Sequence, residues 1–302
     1  MLPAEQDLIS VVIPTKNRCV LLKQAIESVK SQTWRNIEIV IVDDASNDET
    51  QSFLQKLASR EDGVRIIRNE VSRGGGGARN QGIEAAAGEY IAFLDDDDVW
   101  MPTKLEEQIA MMVAHSNVSA VSCSFFVRYP FGIRRNAHIS PPQDEQQILR
   151  VNHLGGASMC LTRKKVLMAI RGFDPNLRSG QDWDLWIKLC AAGNVLVSDK
   201  PLVCYRPHRG VRITSNLQSI YDGRRKIYFQ YKSRMSEPTR KYLLCELMYS
   251  RKVLLRRGRS SGLPGLLQVL HFADGMRAFR YIYRYLKFNM LNMASLWRRT
   301  AA

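Results

Sequence analysis

Four consecutive carboxylates, Asp95 to Asp98, follow the strand-like segment GEYIAFL. Ionised carboxylates side by side repel one another, so folding them together costs free energy unless positive charge lies among them. A divalent cation can supply that charge, because hard cations take carboxylate oxygens and leave room for phosphate oxygens. The alternative is that one Asp caps the helix that Pro102 predicts while the others are solvated. The run alone leaves both interpretations open.

Other polar clusters follow the neighbouring strand-like segments. Asp43 ends one of them, where its carboxylate can accept the N3–H of uracil or thymine. The run Gly74–Gly77 lets a ligand approach the backbone closely, and the helix N-terminus after it favours negative charge. Arg73 and Arg79 can offer forked donors to phosphate. A flexible loop is the alternative explanation of the glycines.

Asp182 is the candidate general base. It lies in an aromatic-rich segment with Trp183 and Trp186, where burial would raise the pKa of a carboxyl group towards the useful range. The alternative is a cap for the helix that begins there. Asp44 and Asp48 are assigned instead to the turn after the second strand and to the N-cap of the next helix.

The elements that must position these residues alternate between strand and helix in the first half of the chain. Continuous β-branched runs alternating with helical patterns predict a parallel sheet covered on both faces. In such a sheet ligands bind beyond the carboxyl ends of the strands, so the polar clusters should meet at one rim. The predicted strands are LISVVIP (8–14), IEIVIV (37–42), VRIIR (64–68) and YIAFL (90–94), with a small-residue helix at 76–87.

The second half is less regular, and from residue 216 to 297 only helical patterns are found. We therefore predict a catalytic domain at 1–215 and a basic helical region at 216–302. The further predictions between them are a helix from Pro102 to about His115, a strand at 118–126, a polar loop at 129–152, a strand at 157–162, a helix from Arg163 and a strand at 195–205.

Composition limits the class of protein. A chain of 302 residues with 45% hydrophobic residues forms one large domain, or one domain with an appendage. It contains no uncharged apolar run of about 18 residues, so no membrane-spanning helix is expected. The N-terminal sequence lacks the pattern of a signal peptide. Six cysteines without a CxxC pair predict reduced thiols in a cytoplasmic protein.

Charge is distributed unevenly. Residues 1–200 hold 23 Lys+Arg against 25 Asp+Glu, whereas residues 201–302 hold 21 against 4. The net charges are therefore −2 and +17, a neutral body with a basic C-terminal region, which favours a tethering surface. Residues 276–299 mix Arg and Lys with Tyr, Leu, Phe and Met, as in helices that lie in a membrane interface. For residues 216–260, packing on the catalytic domain or dimerisation remains an equal alternative.

The motifs together resemble a known family. VVIPTKNR, VDDASNDET, GGGGARNQG, GEYIAFLDDDD, RGFDPN, GQDWDLW and YRPH occur in the order and spacing of the family-2 glycosyltransferases with the GT-A nucleotide-sugar fold, over residues 8–210. The resemblance implies an α/β fold whose mostly parallel sheet has helices on both faces. It further implies an inverting, Mg²⁺- or Mn²⁺-dependent enzyme that uses a UDP- or dTDP-sugar. The expected setting is lipopolysaccharide, O-antigen or capsule synthesis on the cytoplasmic face of a bacterial membrane, with a glycan or lipid-linked acceptor.

The resemblance also implies roles for individual residues. Asp182 takes the position of the base, Asp97 and His208 those of metal ligands, and Gly155, Gly156 and Trp183 those of the acceptor wall. The nucleotide-binding set is Pro14, Thr15, Asn17, Arg18, Asp43, Arg73, Arg79, Asp95 and Asp96. Two departures from the family pattern matter. The four adjacent Asp residues leave Asp97 and Asp98 as alternative ligands, and Gln181 replaces the usual Glu before the base.

Three other functions compete with the glycosyltransferase interpretation. A sugar-nucleotide pyrophosphorylase would need a glycine-rich, arginine-containing phosphate loop directly after the first strand, and PTKNRCV lacks it. A nucleotide-sugar-binding protein without transferase activity remains an alternative. A nucleic-acid-binding protein would carry its basic patch on the body, whereas the excess charge here lies after residue 205.

Overall fold

The computed structural model describes residues 7–128, 134–206 and 216–256. The chain divides into two compact units between Ile227 and Tyr228. The domain boundary at 215/216 stays a prediction, because residues 207–215 lie outside the described part.

Within the described residues, nine strands form one sheet. They are β1 (Ile9–Thr15), β2 (Ile37–Asp44), β3 (Val64–Asn69), β4 (Tyr90–Phe93), β5 (Val99–Trp100), β6 (Val118–Arg128), β7 (Arg134–Ala137), β8 (Leu161–Arg163) and β9 (Asn194–Tyr205). Their spatial order is β3-β2-β1-β4-β8-β6-β9-β5, and β7 pairs with β6.

The helices are α1 (Cys19–Lys30), α2 (Thr50–Ala58), α3 (Gly74–Ala85), α4 (Lys104–Ala114), α5 (Glu145–Arg150), α6 (Lys164–Ala169), α7 (Gln181–Ala192), α8 (Leu217–Tyr231) and α9 (Glu237–Arg256). Ala157–Met159 form one turn of 3₁₀ helix. None of the helices in the described ranges combines the length and apolarity needed to cross a bilayer.

The first half of the sheet is parallel, as predicted. In β1, Val11, Val12 and Ile13 are fully buried, because helices cover both faces of the central strands. Helix α3 packs directly on β1: a Cβ at Gly82 would lie 2.3 Å from Val12 Cγ1. This close approach places the N-terminus of α3 at the carboxyl end of the sheet.

The second half of the sheet contains antiparallel pairs. β8 runs antiparallel to β4 and β6, and β5 runs antiparallel to β9, while β6 and β9 are parallel. The sheet is therefore mixed, with its parallel pairs concentrated in β1 to β4.

Two local predictions are wrong. The strand at 157–162 is replaced by the 3₁₀ turn, and β8 begins only at Leu161. The carbonyls of Ser158 and Met159 accept side-chain hydrogen bonds, from Trp100 and Gln108, instead of joining a strand ladder. The polar segment 129–152, predicted as a loop, contains β7 and α5.

Candidate active site

Polar side chains from the carboxyl ends of β1, β2 and β4 line one cleft of about 1530 Å³, together with the N-terminal ends of α3 and α7. Most of the predicted site residues meet there: Pro14, Thr15, Asn17, Arg18, Arg73, Arg79, Asp95, Asp96, Asp97, Gly156 and Asp182. Asp43, Gly155 and Trp183 are not among the residues that line the cleft, and His208 lies outside the described residues.

Arginines lie among the four carboxylates of the acidic loop, residues 95–98. Arg79 pairs with Asp95, and Arg18 Nη1 lies 2.8 Å from Asp96 Oδ1. Arg206 Nε donates to the backbone carbonyl of Asp97 at 3.1 Å. Positive charge is thus present in the loop, as its sequence requires, and guanidinium groups supply it.

Three of the four carboxylates also form a cluster that fits a divalent cation. Asp95, Asp97 and Asp98 each bring one oxygen to within 4.8 Å of the others. Asp98 is only 4% exposed, and its Oδ1 has no hydrogen-bond partner among the described residues. Burial, with the neighbouring charges of Asp95 and Asp97, raises the pKa of Asp98 well above its usual range. A hard cation would satisfy this oxygen and relieve the repulsion.

The alternative role for the acidic run is excluded by the start of α4. The helix begins at Lys104, its N-cap is Thr103, and no side chain caps it. The four Asp residues therefore do not serve as helix caps.

Asp96 points away from this cluster. Its carboxylate accepts a hydrogen bond from Thr15 Oγ1 at 2.9 Å and another from Arg18. Burial raises the pKa of Asp96 to about 6, although Arg18 acts in the opposite direction. Asp96 therefore ties the acidic loop to the end of β1.

The paired acids at the end of β2 face different partners. Asp43 is 1% exposed, and its oxygens bind Arg68 Nη1 at 2.6 Å and the backbone N–H of Ser46 at 3.0 Å. Asp44 lines the cleft and accepts hydrogen bonds from the backbone N–H groups of Arg73 and Gly74, at 2.7 and 2.9 Å. A contact between Asp43 and a nucleobase stays a prediction.

Asp44 thereby organises the N-terminus of α3. Burial alone would raise its pKa, but hydrogen bonds from Ser72, the two backbone N–H groups and Asn69 hold that pKa below the usual value. The predicted N-cap role of Asp48 is wrong by one position: the N-cap of α2 is Glu49, although the Asp48 carboxylate accepts the N–H of Thr50, the first residue of the helix, at 3.0 Å.

The glycine run is the first turn of α3, so the flexible-loop alternative is wrong. Side chains at Gly75 and Gly76 would crowd the opposite wall. A Cβ at Gly75 would lie 3.2 Å from Gln181 Oε1, and one at Gly76 would lie 3.3 Å from the Asp174 carbonyl. The glycines therefore allow α3 to approach the start of α7 closely.

Asp182, in the first turn of α7, faces the acidic loop across the cleft. A Cβ at Gly156 would lie 3.9 Å from its Oδ2, and the nearby backbone N–H of Ala157 acts to lower the pKa of Asp182. Its Oδ1 has no partner among the described residues. Burial raises the pKa of Asp182 to about 6, although Arg79 acts in the opposite direction. It does not cap α7, whose N-cap is Gly180 with a φ of +79°.

Arg79 connects the two acidic groups. Its Nη1 donates to Gln181 Oε1 at 3.1 Å, while Nη2 binds Asp95. Because the amide of Gln181 is neutral, the positive charge of Arg79 is compensated by Asp95 and Asp182.

Two predicted acceptor residues lie behind the cleft surface. Trp183 is 7% exposed, and its indole donates to the carbonyl of Ile148 in α5 at 2.6 Å. The carbonyl of Gly155 accepts the Trp186 indole at 2.9 Å. Gly156 alone of the predicted acceptor residues is part of the cleft wall.

Sequence inspection missed Ser158 and Arg206. Ser158 Oγ accepts the backbone N–H of Asp95 at 3.0 Å, from 63 positions along the chain. Ser158 sits in an apolar stretch that gives no local sign of this contact. Arg206 belongs to the YRPH motif, in which only His208 was predicted as a site residue.

The half-parallel sheet, with the acidic cluster after β4 and Asp182 at the start of α7, has the GT-A fold, as predicted. The solved structure of S. aureus TarS 1–349 with UDP-GlcNAc matches with a TM-score of 0.64 at 21% identity, over 80% of this chain and 72% of that one. The mannosyltransferase PcManGT of Pyrobaculum calidifontis, solved with GDP-Man and Mn²⁺, matches with a TM-score of 0.60 at 19% identity, over 94% and 86%.

Sequence comparison gives the family. The model of glycosyl transferase family 2 matches residues 10–171, and the chain belongs to this family. The Escherichia coli UDP-Glc:alpha-D-GlcNAc-diphosphoundecaprenol beta-1,3-glucosyltransferase WfaP is 30% identical over 207 residues, which cover 68% of this chain and 79% of that protein. An uncharacterized glycosyltransferase of Haemophilus influenzae is 30% identical over 194 residues, 60% of this chain and 62% of the relative.

Proposed function

We propose that the protein is an inverting glycosyltransferase that moves a hexose or deoxyhexose from a UDP- or dTDP-sugar to a hydroxyl of a lipid-linked glycan, in the synthesis of a cell-surface polysaccharide. One observation carries the proposal: the Asp95–Asp97–Asp98 cluster and Asp182 belong to the same cleft. The first can hold the diphosphate end of a donor through a cation, and the second can activate an acceptor.

The reaction follows from these positions. Asp182 takes the proton of the acceptor hydroxyl while the oxygen of that hydroxyl forms a bond to the anomeric carbon of the donor sugar. The bond from that carbon to the diphosphate breaks on the opposite face, which inverts the configuration. Asp95, Asp97 and Asp98 would hold Mg²⁺ or Mn²⁺, which would stabilise the departing diphosphate when bound. Arg79 orients Asp95 and keeps the charge of Asp182 compensated.

The nucleotide is assigned to the ends of β1 and β2, beside the N-terminus of α3. Pro14, Thr15 and Asn17 line this part of the cleft, and helix N-termini favour phosphate. Asn17 is held there with a φ of +55° by hydrogen bonds to the loop after β2: its N–H donates to Ser46 Oγ, and its Oδ1 accepts from Asn47 N–H. Such a conformation is uncommon outside glycine and clusters at ligand sites.

The acceptor class is supported by the relatives. WfaP is described as acting on a sugar diphosphoundecaprenol, a lipid-linked acceptor. This resemblance favours a comparable acceptor for the present chain, and enzymes that use lipid-linked acceptors must work at a membrane surface.

A matched set of assays tests the proposal. Thermal stabilisation by UDP-, dTDP- and GDP-sugars, each with and without Mn²⁺, identifies the donor. Transfer to a synthetic GlcNAc-diphosphate-lipid is then measured by mass spectrometry, with the Asp182→Asn variant as the control. We expect metal-dependent stabilisation by a UDP- or dTDP-sugar and transfer by the wild type alone. Stabilisation without transfer or hydrolysis would support the nucleotide-sugar-binding alternative instead.

The basic C-terminal region is proposed as the membrane contact. Residues 276–299 lie outside the described part of the chain, so the proposal rests on sequence, where each basic residue near an anionic surface contributes about 1 kcal/mol. Liposome co-sedimentation should show stronger, salt-sensitive binding for the full chain than for a chain ending at residue 275. Equal partitioning of the two into anionic liposomes would rule out this region as the anchor.

A further inference from the structure

A buried lysine lies directly behind the acidic loop. Lys104, the first residue of α4, is 0% exposed, although lysines are almost never fully buried unless they are paired. In the part of the chain that the structure describes, its Nζ forms no ion pair with a carboxylate. Nζ lies 4.0 Å above the centre of the Trp100 ring and donates to Gln108 Oε1 at 2.6 Å. Burial lowers the pKa of Lys104 to about 8. An ammonium group buried without a counter-charge lowers the stability of a core. Its presence there therefore indicates a role other than stabilisation.

The hydrogen bond from Lys104 orients a second buried side chain. Gln108 is also 0% exposed, and because its Oε1 faces Lys104, its amide nitrogen must face the opposite way. That nitrogen donates to the Met159 carbonyl at 2.8 Å and to the Val121 carbonyl at 3.1 Å. Lys104 therefore determines which end of the Gln108 amide meets the 3₁₀ turn.

Trp100 connects Lys104 to the same turn by a separate route. The indole beneath the ammonium group donates to the Ser158 carbonyl at 3.0 Å. A cation over an aromatic face is attracted by the ring, and the attraction grows when both groups are removed from water. The Lys104 side chain thus contacts both side chains that hold the carbonyls of Ser158 and Met159.

The 3₁₀ turn is in contact with both chemical groups of the cleft. Ser158 Oγ binds the backbone N–H of Asp95, and the Ser158 hydroxyl also acts to lower the pKa of Asp98. Gly156, the N-cap of the turn, lies against Asp182, since a Cβ there would be 3.9 Å from Asp182 Oδ2, and the Ala157 N–H acts to lower the pKa of Asp182. A shift of this turn would therefore change the position of the acidic cluster relative to Asp182.

We propose that Lys104 is a positioning residue for the transfer reaction: through Gln108 and Trp100 it fixes the Ala157–Met159 turn, and so the separation of the acidic cluster from Asp182. The proposal rests on the function proposed above for these groups. Lys104 is shielded from the cleft and touches no substrate.

If Lys104 has this role, its replacement should lower activity with little change in stability. Replacing a buried unpaired ammonium by an apolar chain of similar length removes a desolvation cost, so Lys104→Met should leave stability nearly unchanged. The variant loses the constraint on Gln108, however, and the turn gains freedom. A residue needed only for folding would lose stability and activity together.

The experiment compares Lys104→Met with wild type in the full-length protein. Because outer-shell partners of a metal site typically contribute 10- to 100-fold to affinity or activity, we expect kcat and Mn²⁺ affinity each to fall about tenfold. Mn²⁺ affinity is followed by the EPR signal of the free ion, which needs no turnover. The acceptor KM should stay within about twofold, and Tm within about 3 °C, of wild type, since a shift of that size corresponds to only a small change in stability.

Two further variants make the result specific. Gln108→Glu keeps the acceptor for Lys104 but loses the amide donors to Met159 and Val121, so it should reproduce the loss of kcat and Mn²⁺ affinity. Combining Lys104→Met with Gln108→Met should cost less than the sum of the two single effects, because both disrupt the connection through Gln108. Lys30→Met, which removes a partly exposed lysine paired with Glu61, is the matched control and should behave as wild type.

Unchanged kcat and Mn²⁺ affinity in Lys104→Met would overturn the proposal, as would losses accompanied by a drop in Tm of more than about 10 °C, a size that indicates general destabilisation. The Mn²⁺ measurement keeps this test distinct from that of the proposed function. If the wild type bound Mn²⁺ but transferred no sugar, the proposed function would fail while the effect of Lys104 on the cluster could still be seen.

Discussion

The acidic loop after β4 and the start of α7 both present carboxylates to one cleft, but most carboxylates of the loop contact an arginine, and Asp182 does not contact one within the described residues. In the loop, Asp95 and Asp96 each pair with an arginine, and Asp97 lies within 3.4 Å of Arg18. At the start of α7, Asp182 has one oxygen without a partner among the described residues, and burial raises its pKa to about 6.

The difference assigns different chemistry to the two regions. A cluster of carboxylates that lies among guanidinium groups suits binding, because its oxygens can be shared with a cation. A lone carboxylate whose pKa is raised towards neutrality suits proton transfer, because it is a stronger base and is still ionised at the working pH. Asp98, buried and flanked by like charges, belongs with the cluster and is the member that a cation would change most.

The largest effect is expected at the base. Asp182→Asn keeps the shape but cannot accept a proton, so kcat should fall by at least about 100-fold with little change in nucleotide affinity. Its Tm at pH 8 should equal or exceed that of wild type. The pKa of Asp182 is higher in the folded than in the unfolded state, so its ionisation above pH 6 destabilises the native protein. Retention of more than a few per cent of transfer would show that Asp182 is not the base.

The second prediction separates members of the acidic loop. Asp97→Ala should weaken Mn²⁺-dependent UDP or dTDP binding about tenfold or more, and Asp98→Ala should do the same, because both belong to the oxygen cluster. Asp96→Ala should have a smaller effect on the metal dependence, since its carboxylate contacts Thr15 and Arg18. Isothermal titration with and without Mn²⁺ measures all three. If Asp96→Ala and Asp97→Ala weakened Mn²⁺-dependent binding equally, the assignment of Asp97 but not Asp96 to the metal would be wrong.

The third prediction concerns pH. Asp182 must be ionised to accept a proton, so kcat/KM should fall about tenfold per pH unit below about pH 6 and level off above it. Asp96 has a pKa that is also raised to about 6, which makes Asp96→Asn the necessary control. The fall in kcat/KM at low pH should persist in that variant. If the fall disappeared, the group responsible for it would be Asp96 and not Asp182.

The smallest effect is expected in the loop after β2, away from both carboxylate regions. Ala45 has a φ of +66°, which disfavours residues with a Cβ. Ala45→Gly should therefore stabilise the fold by about 0.5–1 kcal/mol, seen as a rise in Tm of a few degrees. Ala110→Gly, at an exposed position within α4, is the matched control and should lower stability by about 1 kcal/mol. A decrease in Tm for Ala45→Gly would mean that the methyl group makes favourable contacts that outweigh the strain.

Much of the first half of the molecule could be predicted from sequence because its signals are local. Apolar runs such as ISVVIPT and IEIVIVDD gave the parallel strands within one or two residues, since strands buried on both faces have continuous apolar sequence. The convergence of polar clusters at one rim followed from the geometry of parallel sheets. Asp182 was selected by its aromatic neighbours and by family resemblance.

The second half was predicted less well because its structure depends on distant partners. The apolar stretch 157–162 has the composition of a strand, yet the carbonyls of Ser158 and Met159 bind side chains of β5 and α4 about 50 to 60 residues away. Periodicity carries no information on such contacts. The pairing of β8 between β4 and β6 depends in the same way on strands brought together only by folding.

The sequence by itself determined which residues could do chemistry: the acidic run, the glycine turn, the acid at 182 and the family to which they belong. Tertiary structure alone decided what each acid does. Asp96 turns to Thr15, while Asp95, Asp97 and Asp98 converge. Asp43 is buried against Arg68, Asp44 holds α3, and Lys104 lies buried behind the loop with its Nζ on Gln108. Four identical side chains in a row have the same intrinsic pKa and the same reach. They acquire different roles only from burial and from the charges and donors that folding places beside each of them.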